Sequence, residues 1–277
     1  MHRAIVRFGF MVALMMLGRA ADAAAQELGQ PADLYTARTI VTGTDMRSRP
    51  MGFRICLEDV LVKTSGDQRL LHDPRVAALG PTADDLITQH DYIDRMGNLP
   101  IHDDQGTKDR PYYLTCVLDQ AKIDGVLATL GHKLWIGRPP LTLIMAVHGF
   151  GKSGSLTTDG DFYPDMRVSL ADAAARYGVI VNLPSGEALA ANQIAADSLA
   201  DTPVERLSRV AQRSGGILPL FGTLDWSDAD NGWIARWALD DGNGQLHRWE
   251  VKGVNFDEAF YNAVRGAAQI LSGDGEP

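Results

Sequence analysis

Residues 141–147 read LTLIMAV, and this stretch decides the fold class. Seven successive residues without a charge predict a strand covered on both faces, since a half-exposed strand would alternate apolar and polar. Downstream, a glycine-rich segment leads to a helical pattern over 167–177 and a strand over 179–183. Two further helical patterns fill 187–199 and 203–213, ahead of a strand over 217–224. A hairpin over 233–239 and 246–252 turns through DDGNGQ, whose glycines and asparagine accept positive φ. The chain closes on a helix over 256–272, with Phe256, Phe260, Val264, Ala267 and Leu271 on its apolar side.

Upstream, LYTARTIVT at 34–42 alternates and is β-rich. Arg49-Pro50 opens a helix with Phe53, Cys56, Leu57, Val60 and Leu61 at helical spacing, and Gly66 stops it. Shorter helical patterns follow at 73–79 and 82–95, then a polar loop over 97–110. In the strand over 112–118, Tyr112, Leu114, Cys116 and Leu118 share one face. A helix over 120–134 and a stiff GRPP segment at 137–140 complete this half. Strands alternating with helices predict an α/β protein of two layered lobes, with a mixed sheet. The C-terminal antiparallel hairpin and final helix lend it α+β character. The expected division is a signal peptide at 1–25, an N-terminal lobe at 26–137 and a C-terminal lobe at 138–277.

The first residues have the order of a secretory signal: Arg3 and Arg7, an apolar run over 8–17, then small residues. Cleavage is expected after Ala25, with Ala23 as the rival site. The run is about half the roughly twenty residues a spanning helix needs, and no later stretch approaches that length. No membrane span is therefore expected after cleavage, and the periplasm is the expected compartment. The net charge of −9 disfavours nucleic acid as a partner. The two cysteines, Cys56 and Cys116, either form one disulfide or remain buried thiols; spacing does not choose between these.

Two motifs suggest chemistry. AVHGFGKS at 146–153 fits a relaxed phosphate loop, yet the following GSLTTDGD breaks a helix rather than building one. The same letters resemble a hydrolase oxyanion loop, but no G-x-S-x-G elbow is present. His148, Lys152 and Ser153 are the ligand-loop candidates, and no catalytic set is assigned. The histidines form no metal-binding pair, and the clusters Asp159/Asp161/Asp165 and Asp225/Asp228/Asp230 lack the order of a calcium loop, so neither metal nor cofactor is expected. The tryptophans Trp226, Trp233, Trp237 and Trp249 read as core, with Trp226 and Trp233 near polar turns.

The pieces LYTARTIVTG, CLEDVLVKTSGDQRLL and LWIGRPPLTLIMAV, with GTLD and WALDDGNGQLHRWEVKG, resemble the bacterial envelope family known as domain of unknown function 2066. Its specific elements here are the helix ending VLVKTSG and the W-x-x-RP-x-L strand entry. The chain departs from the family pattern at HGFGKSG. The resemblance implies an envelope or periplasmic location and assigns no activity. Together these readings favour a non-enzymatic periplasmic binding or scaffold protein with an envelope protein partner. The alternative is a hydrolase using His148 and Ser153.

Overall fold

The computed structural model describes residues 34–97, 102–103, 106–107 and 110–277; the expected signal peptide lies outside them. Two sheets organise the chain. The smaller has β1 (Thr36–Thr42), β5 (Pro111–Leu118) and β2 (Ile87–Asp94), in the order β1-β5-β2 and antiparallel throughout. Helix α1 (Arg49–Ser65) covers one face. Pro50 occupies its first turn, and left-handed Gly66 closes it by donating its N–H to the Val62 carbonyl. Phe53, Cys56, Leu57, Val60 and Leu61 are each at most 2% exposed, worth about 1.5–3 kcal/mol apiece for the large apolar side chains. Cys56 and Cys116 are disulfide-bonded, joining α1 to β5 with Cα atoms 6.3 Å apart.

The expected helix over 82–95 is a 3₁₀ segment, Gly80–Leu86, followed by β2. Pairing with β5 supplies a hydrogen-bond ladder that overrides a weak helical pattern. Within the expected loop, β3 (His102–Asp103) pairs with β4 (Gly106–Thr107). Helices α2 (Pro74–Leu79) and α3 (Gln120–Leu130) complete this half; α3 is capped by Asp119 and stopped by left-handed Gly131.

The larger sheet is mixed. Its path is β11-β10-β9-β6-β7, and the short β8 (Val181–Asn182) also pairs with β6. Strand β6 (Leu141–Gly149) is buried at all of its first seven positions. It runs parallel to β9 (Leu218–Ser227) and antiparallel to β7 (Lys152–Ser155). Strands β9, β10 (Gly232–Asp240) and β11 (Leu246–Val254) form an antiparallel meander. The helix expected over 187–199 is interrupted: α5 (Gly186–Ala191) ends before Gln193, whose φ is positive, and a 3₁₀ segment, Ala196–Asp201, follows.

On the inner face, α4 (Pro164–Tyr177) and α7 (Phe256–Ser272) pack together and against the strands. One apolar core runs from Val41, Phe53 and Leu57 through Leu143 and Leu220 to Phe260, so it spans both sheets. On the outer face, α5, the 3₁₀ segment and α6 (Val204–Arg213) bury a smaller cluster against Ile144, Ala146, Phe221 and Ala238. The GRPP segment is a tie between helices. Arg138 is 2% exposed and donates to the Lys63, Tyr177 and Gly178 carbonyls, at the ends of α1 and α4.

Candidate functional site

Strand alternation places His148, on β6 beyond Ile144 and Ala146, on the outer face of the larger sheet. The ladder sets it opposite Asp225 of β9 on one side and Ser153 of β7 on the other. Ser153 Oγ donates to Asp197 Oδ1 at 2.6 Å and lies 3.0 Å from His148 Nδ1. With the serine proton given to Asp197, His148 is the donor in the second bond. A hydrolytic triad needs the imidazole between serine and acid, taking the serine proton while the acid orients the ring. Here the serine is in the middle, and His148 Nδ1 is 3.9 Å from Asp197. Lys152 does not join this group: it pairs with Gly149, and alternation directs it to the opposite face from Ser153.

The letters that suggest a phosphate loop form a tight hairpin. Phe150 (φ 53°) and Gly151 (φ 72°) are the only residues between β6 and β7, the backbone signature of a type I′ turn. No helix follows until Pro164. The other glycines are packing devices. A Cβ on Gly149 would lie 2.6 Å from the Trp233 ring, and one on Gly154 would lie 3.0 Å from the Phe162 ring. Phe150 in turn stacks on Trp226 with centroids 4.7 Å apart, and Trp226 meets Trp233 at 5.5 Å. Trp233 and Trp237 are core, at 4% and 2% exposure.

Beside His148, the outer face opens into a cleft. The covering layer of α5, the 3₁₀ segment and α6 reaches as far as Ala238 of β10, and beyond it Arg236, Arg248 and Glu250 of β10 and β11 are exposed. The resulting cavity, ≈ 590 Å³, has Phe221 and Ala238 on its floor, Leu199 and Ala200 as one wall, and Arg248 and Glu250 opposite. Arg236 lies between two carboxylates, Asp225 at 2.9 Å and Glu250 at 2.8 Å, and Thr223 also donates to Asp225 at 2.9 Å. Lys252 lowers the pKa of Glu250 by a hydrogen bond, which outweighs partial burial; Arg236 adds to the effect. Among the described residues, Arg248 has no acidic partner. Sequence reading missed this cleft because its lining comes from four separated segments, with no motif linking them.

The acidic clusters are dispersed in local bonds. Asp159 accepts from the Gly186 N–H at 2.8 Å, Asp228 from Trp226 Nε1 at 2.8 Å and Asp230 from Ser227 Oγ at 2.5 Å. Among the described residues, Asp67, His132 and Asp274 do bring three ligand atoms within 4.8 Å of one another. Arg69 already forks Asp67 through Nη2 at 2.6 Å and Nε at 2.8 Å. Its guanidinium supplies the positive charge that a cation would bring, so this set reads as an ion-pair knot rather than a metal centre.

With this geometry in place, the comparisons give a partial assignment. Residues 29–136 match a Domain of unknown function (DUF8605). No curated protein and no solved structure matches the chain. The DUF8605 region holds the smaller sheet, α1 and Trp135, and it stops short of Arg138 and the outer-face cleft. It supports an uncharacterised domain under a different number from the family that the motifs resemble. VLVKTSG lies inside the DUF8605 region, and its residues serve the fold. Lys63 Nζ donates to the Thr36 carbonyl at 2.7 Å, while Thr64 and Ser65 bond back to carbonyls in their own helix.

Proposed function

We propose that this chain is an exported periplasmic protein that binds an envelope component, without catalysing a reaction, through the cleft beside Arg236 and Arg248. The observation that carries the reading is the half-covered sheet. Past the edge of the second helical layer, Phe221 and Ala238 form an apolar floor rimmed by Arg236, Arg248 and Glu250, the lining expected of a binding site. The signal-like residues 1–25 support export, as does the Cys56–Cys116 disulfide, since such bonds persist in oxidising compartments. The resemblance to an envelope family adds to this. Cell fractionation with N-terminal sequencing tests the location: a full-length cytoplasmic product would end the export reading. For binding, a photoreactive benzoyl-phenylalanine at Ala200, on the cleft wall, is compared with one at exposed Ile136. The reading expects a discrete adduct from the envelope fraction at Ala200 alone, weakened by Arg248→Glu. Equal capture at both positions would refute it.

A second reading, a hydrolase, rests on the 3.0 Å approach of His148 Nδ1 to Ser153 Oγ alone, since Asp197 sits on the serine rather than on the imidazole. Fluorophosphonate labelling separates the two. The binding reading expects no label, whereas a label lost on Ser153→Ala would establish the hydrolase.

A further inference from the structure

We infer that the open edge of β1 and the facing side of α4 form a site for an extended, acidic polypeptide segment, which joins the smaller sheet as a fourth strand. This site is separate from the outer-face cleft and does not rest on it. Among the described residues, the order β1-β5-β2 leaves one side of β1 unpaired. Leu118 N–H donates to the Tyr35 carbonyl at 2.8 Å, and Gly43 N–H donates to the Arg110 carbonyl at 2.9 Å. These bonds fix the parity of the ladder. Odd-numbered residues of β1 bond to β5, so the N–H and C=O groups of Thr36, Arg38, Ile40 and Thr42 point away from it. Lys63 takes the Thr36 carbonyl. Among the described residues, the main-chain groups of Arg38 and Ile40 have no partner.

Of the other edges, β2 and β11 are interrupted and β7 is unbroken but only four residues long, whereas β1 is neither interrupted nor short. The ladder of β2 with β5 shifts between Ile87 and Gln89, and that of β11 with β10 shifts between Trp233 and Ala235. Such irregularities discourage strand addition. Strand β1 keeps an unbroken register from Thr36 to Thr42 and contains no proline. Its outward groups from Arg38 to Thr42 offer about 13 Å of main chain to a partner strand.

Facing this edge is a groove of ≈ 770 Å³ whose far wall is one side of α4. Val168, Ala171 and Ala175 lie there at helical spacing, and two of the three are too small to fill the space. Ile40 is 50% and Val168 70% exposed, so apolar surface lies on both walls. A partner strand would set alternate side chains between them, the arrangement of strand-addition peptide sites.

Charge selects the kind of segment. Arg38, Lys63 and Arg176 line the groove, with Asp172 on its wall and buried Asp59 behind Arg176. Asp172 accepts from Tyr261 Oη at 2.7 Å and lies 4.0 Å from Arg38. Arg176 is already forked by buried Asp59, and Arg38, 53% exposed, is held over the Tyr113 ring at 4.2 Å. With Asp59 counted, three basic side chains stand against two carboxylates, and Arg38, exposed and no nearer than 4.0 Å to Asp172, is the group that a carboxylate side chain on a partner strand would complement.

The test is selection of random linear peptides displayed on phage against the folded protein, followed by fluorescence-polarisation binding of the winners. The expected winners carry Asp or Glu at alternating positions and slow amide exchange at Arg38 and Ile40. Ile40→Pro should weaken them about tenfold by removing an outward N–H that the native ladder does not use. Ala175→Trp should do the same by filling the groove from the helix side, and it covers the case in which the proline variant fails to fold. Failure to select any peptide would overturn the inference. So would winners indifferent to both substitutions, or winners lost instead on Arg248→Glu, which would place them in the cleft.

Discussion

The Arg138 guanidinium lies 4.1 Å above the Trp135 ring and, from that position, donates to the carboxyl ends of two helices. Among the described residues, no carboxylate pairs with it. Its counter-charge is the partial negative charge of the last carbonyls of α1 and α4, and the Trp135 backbone N–H satisfies the neighbouring Thr64 carbonyl at 2.9 Å. Burial still disfavours the cation and lowers its pKa to about 10. Arg138→Met should therefore leave several carbonyls unpartnered and cost about 2–4 kcal/mol. Arg138→Lys should recover only part of this, since one ammonium cannot fork between both helices. Urea midpoints of the three proteins measure the effect; a wild-type midpoint for Arg138→Met would show that the helices need no such tie.

The hairpin glycines make a second prediction. Gly149→Ala drives a methyl group into the Trp233 ring, and Gly154→Ala drives one into the Phe162 ring. Each should cost about 1–3 kcal/mol, the usual range for overpacking. Gly186→Ala is the control, because its nearest neighbours are 3.7 Å away, in ordinary contact. If the two hairpin variants melt with the control, the glycines have some other role. Loss of anion binding without loss of stability would point to a loop built around a ligand.

Strands β1, β5 and β6 are legible in the sequence because their alternation or continuous apolar character reflects burial. Strand β2 is not, since its ITQHDYID is a solvated edge with little apolar period, and only pairing with β5 makes it a strand. The W-x-x-RP and VLVKTSG motifs stand out as distinctive, but the sequence cannot reveal that they meet. Residues 63–64 and 135–138 are brought together by the return of the chain beneath α1. The same holds for Asp197, forty-four residues from the Ser153 hydroxyl it accepts from. It holds too for the cleft, whose wall and floor come from different layers. Periodicity reports which face is buried, whereas a site assembled across layers leaves no periodic trace.

The disulfide closes a sequence separation of 60 residues between two fully buried positions. In the chain-entropy account, a loop of that size contributes about 4 kcal/mol. The double variant Cys56→Ala, Cys116→Ala should lose about that much, and dithiothreitol should lower the melting temperature of the wild type but not of the variant. Equal melting of the wild type with and without reductant would show that the bond is not formed in solution.

Asp67 contributes to the acid limb of stability. Its side chain is fully buried, and burial raises its pKa. The Arg69 fork, the Arg69 backbone N–H and the nearby His132 together outweigh that effect and hold the carboxyl below its usual range. A carboxyl with a lowered folded pKa favours the native state above its unfolded pKa, about 3.9, and that contribution disappears as pH falls through the folded value. Asp67→Asn keeps the shape but removes the charge. It should cost about 1–3 kcal/mol at neutral pH, as expected for charge-assisted bonds to a buried group. It should also flatten the decline below pH 4, so that the wild-type and variant curves converge in acid. Urea titrations at pH 7, 4 and 3 decide the matter. Parallel curves at all three would mean that the acid sensitivity lies in another carboxylate.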